Sequence, residues 1–193
     1  LSGGWIAGGM EFDFPRGHHV ETMRPLPCSI VEEGPKRASA LVRRRCARTG
    51  MTMDVRLALA AGEARFTIDY TISNPTPLRH SYYQWTNVGM EATPQWQFQT
   101  KGQFYTTSWV LHDYPVDRSG RDSSYYVNRD WASDSFIVGH REDFFGCYDH
   151  GKEMGLAHLA PAEDLPGKKY FTWGTSKREM NSERVFADDG RNF

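Results

Sequence analysis

The stretch Met51-Thr52-Met53-Asp54-Val55-Arg56-Leu57-Ala58-Leu59-Ala60 decides the fold. Met51, Met53, Val55, Leu57 and Leu59 alternate with Thr52, Asp54, Arg56 and Ala58. A period of two puts the apolar set on one face of a strand, whereas a helix would scatter it around its circumference. Ala61-Gly62-Glu63 then reads as a turn. Beyond it Phe66, Ile68, Tyr70 and Ile72 alternate with Arg65, Thr67, Asp69 and Thr71. Two alternating runs across a short glycine turn predict a β-hairpin. Asn74-Pro75-Thr76-Pro77 closes it.

Upstream, residues 38–48 read as a further strand. Its Arg43-Arg44-Arg45 cluster fits solvated strand residues and their neighbours better than a phosphate site. Residues 21–27 carry two prolines and read as an extended connection. Before them stands Gly8-Gly9-Met10-Glu11-Phe12-Asp13-Phe14-Pro15-Arg16-Gly17-His18-His19. Strand geometry gives Met10, Phe12 and Phe14 one face and Glu11 and Asp13 the other. Pro15 cannot donate to a ladder, so pairing is expected to stop there, with His18 and His19 on the loop beyond. The stretch is either an edge strand with a polar outer face and a solvated histidine pair, or a place where a carboxylate meets an imidazole for acid–base work.

Downstream, residues 81–88 are strand-like, with Tyr83, Trp85 and Asn87 on one face. That mixture lines a groove, or it packs as aromatic core with Asn87 bonded to backbone. Residues 96–99 make a short strand. Residues 101–129 show little periodicity and read as one long irregular segment. Its Phe104, Tyr105, Trp109, Tyr114, Tyr125 and Tyr126 argue against disorder and suit a site wall, with His112, Asp113, Asp117 and Asp122 as polar candidates. Short, evenly spaced strands return at 135–138, 144–148, 154–159 and 169–173. Nine to eleven strands with no amphipathic helix predict an all-β sandwich or barrel, in one domain spanning residues 1–193.

The totals narrow the function. Against 24 acidic residues stand 23 Lys and Arg, a net charge of -1, without the basic excess a nucleic-acid binder carries. The 6 Trp, 9 Tyr and 11 Phe suit strands, and they equally suit flat faces on which a sugar ring can lie. Cys28, Cys46 and Cys147 are odd in number and widely spaced, which speaks against a zinc site or a disulfide framework. No apolar run is long enough to span a bilayer and no signal peptide is visible. GxSxG, P-loop and HExxH motifs do not occur. His18, His140, His150 and His158 are scattered and read as structural or solvated, so no metal or other cofactor is implied. The chain opens on Leu1 and closes on Asp189-Gly190-Arg191-Asn192-Phe193, a turn leading toward a strand. A piece of a longer protein is expected, and the compartment stays open.

Four runs matter for their order: residues 8–18, Tyr82-Tyr83-Gln84-Trp85-Thr86-Asn87, Phe144-Phe145-Gly146-Cys147-Tyr148-Asp149-His150, and Pro166-Gly167-Lys168-Lys169-Tyr170-Phe171-Thr172-Trp173-Gly174. This series resembles an uncharacterised bacterial domain family within the galactose-mutarotase-like superfamily, whose members often precede tetratricopeptide repeats. The resemblance covers nearly the whole chain. It implies an antiparallel supersandwich with a sugar-sized groove, incomplete at the C-terminus, where a further strand bearing a Glu is expected. It also implies carbohydrate recognition, the theme shared by aldose epimerases, domains of glycoside hydrolases and lyases, and binding modules. Under that reading Trp85 and Trp173 stack on a sugar, and Asn87, Asp122 and Lys169 bond its hydroxyls. Glu11 and His18 are then the acid–base pair of an epimerase-like reaction. A hydrolase needs two carboxylates, for which Glu11 with Asp122 is the conceivable pair. The other reading is a non-catalytic module that packs on neighbouring helical repeats.

Overall fold

A computed structural model describes residues 9–15, 25–83, 85–130, 133–172 and 174–175. Among these it forms thirteen β-strands and one short 3-10 helix, Tyr126–Asn128. The strands are β1 (Gly9–Asp13), β2 (Cys28–Glu33), β3 (Arg37–Arg45), β4 (Thr52–Ala60), β5 (Phe66–Ser73), β6 (Trp85–Gly89), β7 (Trp96–Gln99), β8 (Phe104–Thr107), β9 (Val110–Asp113), β10 (Ser133–Val138), β11 (Phe144–Asp149), β12 (Met154–Leu159) and β13 (Lys169–Thr172). The chain is an all-β antiparallel protein, as the alternating patterns predict. It divides into two compact units, Leu1–Val88 and Gly89–Phe193.

In the first unit β2-β3-β4-β5 form one antiparallel sheet, and β1 pairs with β6. The predicted hairpin is present as β4 and β5, with Gly62 in the left-handed region at its turn. Met51, Met53 and Val55 of the quoted stretch are buried with Phe14 and Cys46. Phe12, Val42, Leu57, Ile68, Tyr70 and Ile72 surround them. The opposite face of the sheet is polar. There Arg43 donates to both Asp54 carboxylate oxygens at 2.8 and 2.5 Å, and Arg56 donates to Glu32 and Ser39. The Arg43 hydrogen bonds hold the Asp54 carboxyl below its ordinary range. Such exposed pairs contribute little beside the apolar face.

Two expectations change in this unit. Asp13 is not on a solvated outer face: its exposure is 0 %, directly beside the buried Phe14. The cluster 43–45 is not uniformly solvated either, because strand alternation turns Arg44 to the buried side while Arg43 stays out.

The second unit is a two-layer sandwich. One sheet runs β12-β11-β7 and the other β13-β10-β8-β9. Between them lie Trp96, Phe98, Tyr105, Tyr114, Tyr126, Ile137 and Tyr170. Phe98 and Tyr170 stack with ring centroids 3.8 Å apart, joining the two layers. In the first sheet a side chain at Gly146 would run into the Leu156 carbonyl, and one at Gly155 into the Cys147 carbonyl, so both positions need the bare backbone.

Residues 101–129 are not irregular throughout. Phe104–Thr107 and Val110–Asp113 form a hairpin whose last pair is Thr107 with Val110. Its two-residue loop is Ser108-Trp109, with φ of 48° and 66°. Positive φ at both central positions is the geometry that Asn-Gly or Asp-Gly normally fills. The familiar turn signal is absent here, which hides the hairpin from a reading of the sequence. The loop carries backbone strain, because an L side chain in this region crowds the following carbonyl. Trp109 is also 102 % exposed, so it contributes no packing in return. Trp109→Gly is therefore expected to stabilise the protein by about 1 kcal/mol, read as a higher urea midpoint at unchanged slope; an unchanged or lower midpoint would contradict the strain argument.

Candidate functional site

Three of the residues singled out in the sequence come together in the first unit. β1 pairs with β6, and Asn87 on β6 reaches Glu11 on β1. The Tyr83 N–H donates to the Pro15 carbonyl at 2.8 Å. Moving from Pro15 back to Glu11, the partner moves forward from Tyr83 to Asn87, as antiparallel strands require. The Trp85 indole N–H donates to Asn87 Oδ1, and Asn87 Nδ2 donates to Glu11 Oε2 at 3.3 Å. Trp85 and Asn87 share a strand face at i and i+2, which lets the indole reach the amide. The amide thus spends one end on each neighbour, and its orientation is set. Tyr83 meets Trp85 edge-on at 6.0 Å. All three residues of the relay are half-buried. The alternative that Asn87 bonds only to backbone does not hold. His18, His19 and Trp173 lie outside the described residues.

In the second unit Asp122 and Lys169 have local partners. Asp122 Oδ1 accepts the Ser124 N–H at 2.9 Å and the Ser124 hydroxyl at 2.6 Å, an Asx turn. Asp117 does the same with Ser119 and Arg121. Asp113 pairs with Arg118 at 3.4 Å, and the His112 ring stacks on Tyr105 at 4.8 Å. The four polar candidates of this segment thus organise loops or pack on the core. Lys169 is mostly buried, with its ammonium 3.2 Å from Asp134 Oδ1 and 5.5 Å from the Phe136 ring centre. It is not a freely solvated strand residue.

Two buried cations escape a reading of the sequence. Arg129 is 6 % exposed. Its guanidinium donates to the Ser123 carbonyl at 2.8 Å, to Ser135 Oγ at 3.0 Å and to the Tyr170 hydroxyl. It also lies 4.5 Å from the Tyr105 ring centre and 4.9 Å from that of Tyr170. Among the described residues no carboxylate pairs with it. Burial pushes the Tyr170 phenol well above its ordinary range, although the Arg129 charge opposes this.

Lys168 is 4 % exposed, and among the described residues its ammonium has no hydrogen-bond partner. Burial lowers its pKa, while the Asp143 carboxylate works against the shift. His158 on β12 is lowered as well, first by burial and then by the Lys168 charge. Strand alternation explains why Lys168 and Lys169 differ: the first points toward the core layer and the second away from it.

Asp149, from the run Phe144-Phe145-Gly146-Cys147-Tyr148-Asp149-His150, is structural. Its carboxylate accepts from the Thr93 hydroxyl at 2.8 Å and from the Gly151 and Lys152 N–H groups at 2.9 and 3.1 Å. Burial pushes its pKa up, but these donors together outweigh it and hold the carboxyl low.

Among the described residues no helix is long and apolar enough to cross a membrane. The fold and these polar clusters define an all-β antiparallel sandwich protein. Its residues 1–193 match the family described as Domain of unknown function (DUF5107), and the chain belongs to that family. The crystal structure of a TPR-domain-containing protein from Parabacteroides distasonis ATCC 8503 is similar in fold. The TM-score is 0.75 at 20 % sequence identity, over 97 % of this chain. The chain spans about a third of that protein, 32 % of its length.

The unpartnered Lys168 generates a prediction. Lys168→Met keeps all but the last atom of the side chain's length and removes a polar group that folding strips of water, so it is expected to stabilise by roughly 1–3 kcal/mol at neutral pH. The folded pKa lies below the unfolded one, so between the two the unfolded chain holds more protons. Wild-type stability should therefore rise with pH through that window, and fall as pH drops toward the folded pKa. The gap between variant and wild type should shrink as pH rises toward the ordinary lysine range. Urea unfolding of both proteins across alkaline pH checks this; a gap independent of pH would contradict it.

Proposed function

We propose that this chain is a carbohydrate-binding domain, with the sugar taken at the β1–β6 pair. The observation that carries the reading is the relay from Trp85 through Asn87 to Glu11. Sugars present apolar ring faces edged by hydroxyls. They are bound by aromatic faces next to hydrogen-bonding groups whose orientation is set in advance. Here an indole, an amide and a carboxylate stand on neighbouring strands, and the amide is already turned. The galactose-mutarotase-like resemblance belongs to the same proposal. If the domain also turns over a substrate, the reaction is aldose-epimerase-like or glycoside-hydrolase-like. Glu11 and His18 are then the groups that exchange protons with the anomeric hydroxyl and ring oxygen.

A second reading has its own support. The similar solved protein contains a TPR domain. In this chain Ile30, Leu59 and Phe66 leave one end of the apolar face of the β2–β5 sheet exposed. A non-catalytic module packing on helical repeats would use such a surface and would have no need of the relay.

Calorimetric and Trp-fluorescence titration with a broad panel of mono- and oligosaccharides separates the two. Carbohydrate binding predicts saturation with at least one neutral sugar. Asn87→Ala should then weaken it by roughly 10-fold, the equivalent of one hydrogen bond lost from a desolvated site. Trp85→Ala should weaken it as much or more. A flat response across the panel from correctly folded protein would overturn the carbohydrate reading and favour the packing module.

A further inference from the structure

We infer that the outer face of the β12-β11-β7 sheet is a binding face for a neutral glycan, centred on Gln97, Gln99, Tyr148 and His150. This rests on the carbohydrate reading, and it adds a contact on residues other than Glu11, Trp85 and Asn87. In the register of the sheet Gln97 lies opposite Tyr148, which lies opposite Gly155. One step along, Gln99 lies opposite Gly146, which lies opposite Ala157. Paired residues project to the same side, so these six share the face turned away from Trp96 and Phe98 of the core.

The side chains on this face are tied to one another. Gln99 Nε2 donates to Gln97 Oε1 at 3.1 Å. His150 Nε2 lies 2.8 Å from the same oxygen. Gln97 Nε2 donates to Ser124 Oγ at 3.1 Å, and that hydroxyl donates to Asp122 at 2.6 Å. The Gln97 carbonyl thus accepts twice, its amino group is turned to Ser124, and the donor role falls to His150 Nε2–H. Tyr148 meets the His150 ring edge-on at 5.0 Å, and Tyr125 lies 6.3 Å from it on the other flank. Asp122, singled out in the sequence as a hydroxyl binder, acts here from behind, by holding the serine that holds Gln97.

The chemistry of the occupant follows from this array. Gly155 lies under the edge of the Tyr148 ring, and Gly146 and Ala157 add no large side chain to this face. The amide of Gln99 keeps its carbonyl and one N–H uncommitted, and His150 Nδ1 has no partner among the described residues. Uncommitted amide groups and an aromatic ring thus share one face, the two kinds of contact that a sugar's hydroxyls and ring face use. The nearby charges are spent elsewhere, Lys152 on Glu91 at 2.6 Å and Asp122 on Ser124. Among the described residues of this array no lysine or arginine is free for a phosphate or uronate, which favours an uncharged polyhydroxylated chain.

The test is a titration of the full chain, labelled with 15N, with neutral gluco-, xylo-, manno- and galacto-oligosaccharides. The side-chain amide signals of Gln97 and Gln99 and the indole signal of Trp85 are followed. The expected result is movement of both glutamine amides on saturation. Gln99→Ala and Tyr148→Ala should each weaken binding by about 3- to 10-fold, the range for one hydrogen bond or one aromatic contact. Movement of the glutamine amides with a still indole would uphold this face and move the sugar away from Trp85. Movement of the indole with still glutamine amides, and wild-type affinity in both variants, would overturn this face and leave the proposed function standing. Silence at all three positions with every oligosaccharide would overturn both.

Discussion

Arg129 is buried in the second unit with no carboxylate partner among the described residues, and much of that unit is arranged around it. Arg129 reaches the Ser123 carbonyl of one loop, Ser135 on β10 and Tyr170 on β13, while lying over Tyr105 on β8. A buried cation is costly unless its hydrogens are used and its charge is met. Here neutral oxygens use the hydrogens and two phenol rings meet the charge through their negative faces. The Arg129 carbonyl in turn accepts the Thr175 N–H at 2.8 Å, so the same residue secures the chain after β13. Segment 114–130 has little regular structure, yet it is anchored along its length by Arg129, by the paired Arg121 and Asp130, and by the Asx turns at Asp117 and Asp122.

That anchoring bears on function. The Asp122 turn fixes Ser124, and Ser124 fixes Gln97 on the neighbouring sheet. A loop held by a buried arginine thereby orders the polar face of a strand. In the first unit a shorter chain of bonds does a similar thing, where one asparagine links the indole and the carboxylate of paired strands. In both arrangements the orientation of the side chains is set by their neighbours.

The fold was largely legible because period-two alternation has a direct physical cause. Residues 51–59 and 66–72 have to show one face to a core, and the strand ends fall where glycine, proline and asparagine interrupt the ladder. The β8–β9 hairpin was not legible, since Ser108-Trp109 stands where a glycine-rich turn would announce it. The candidate site was legible in part. Glu11, Trp85 and Asn87 were singled out by residue type and face, and the β1–β6 pairing joins them. Arg129 and Lys168 gave no signal, because a lone basic residue in a loop or at a strand start is most often solvated.

By itself, the order of side chains determined that this protein is built of antiparallel strands and which of their faces are apolar. Those properties are local and follow from backbone geometry within each strand. Only the tertiary structure decided which strands lie side by side, and with that whether Glu11 meets Asn87, whether Gln97 meets Tyr148, and whether a lysine faces solvent or core. Partners distant in sequence are chosen by the joint burial of many faces at once, and no short window of residues contains that information.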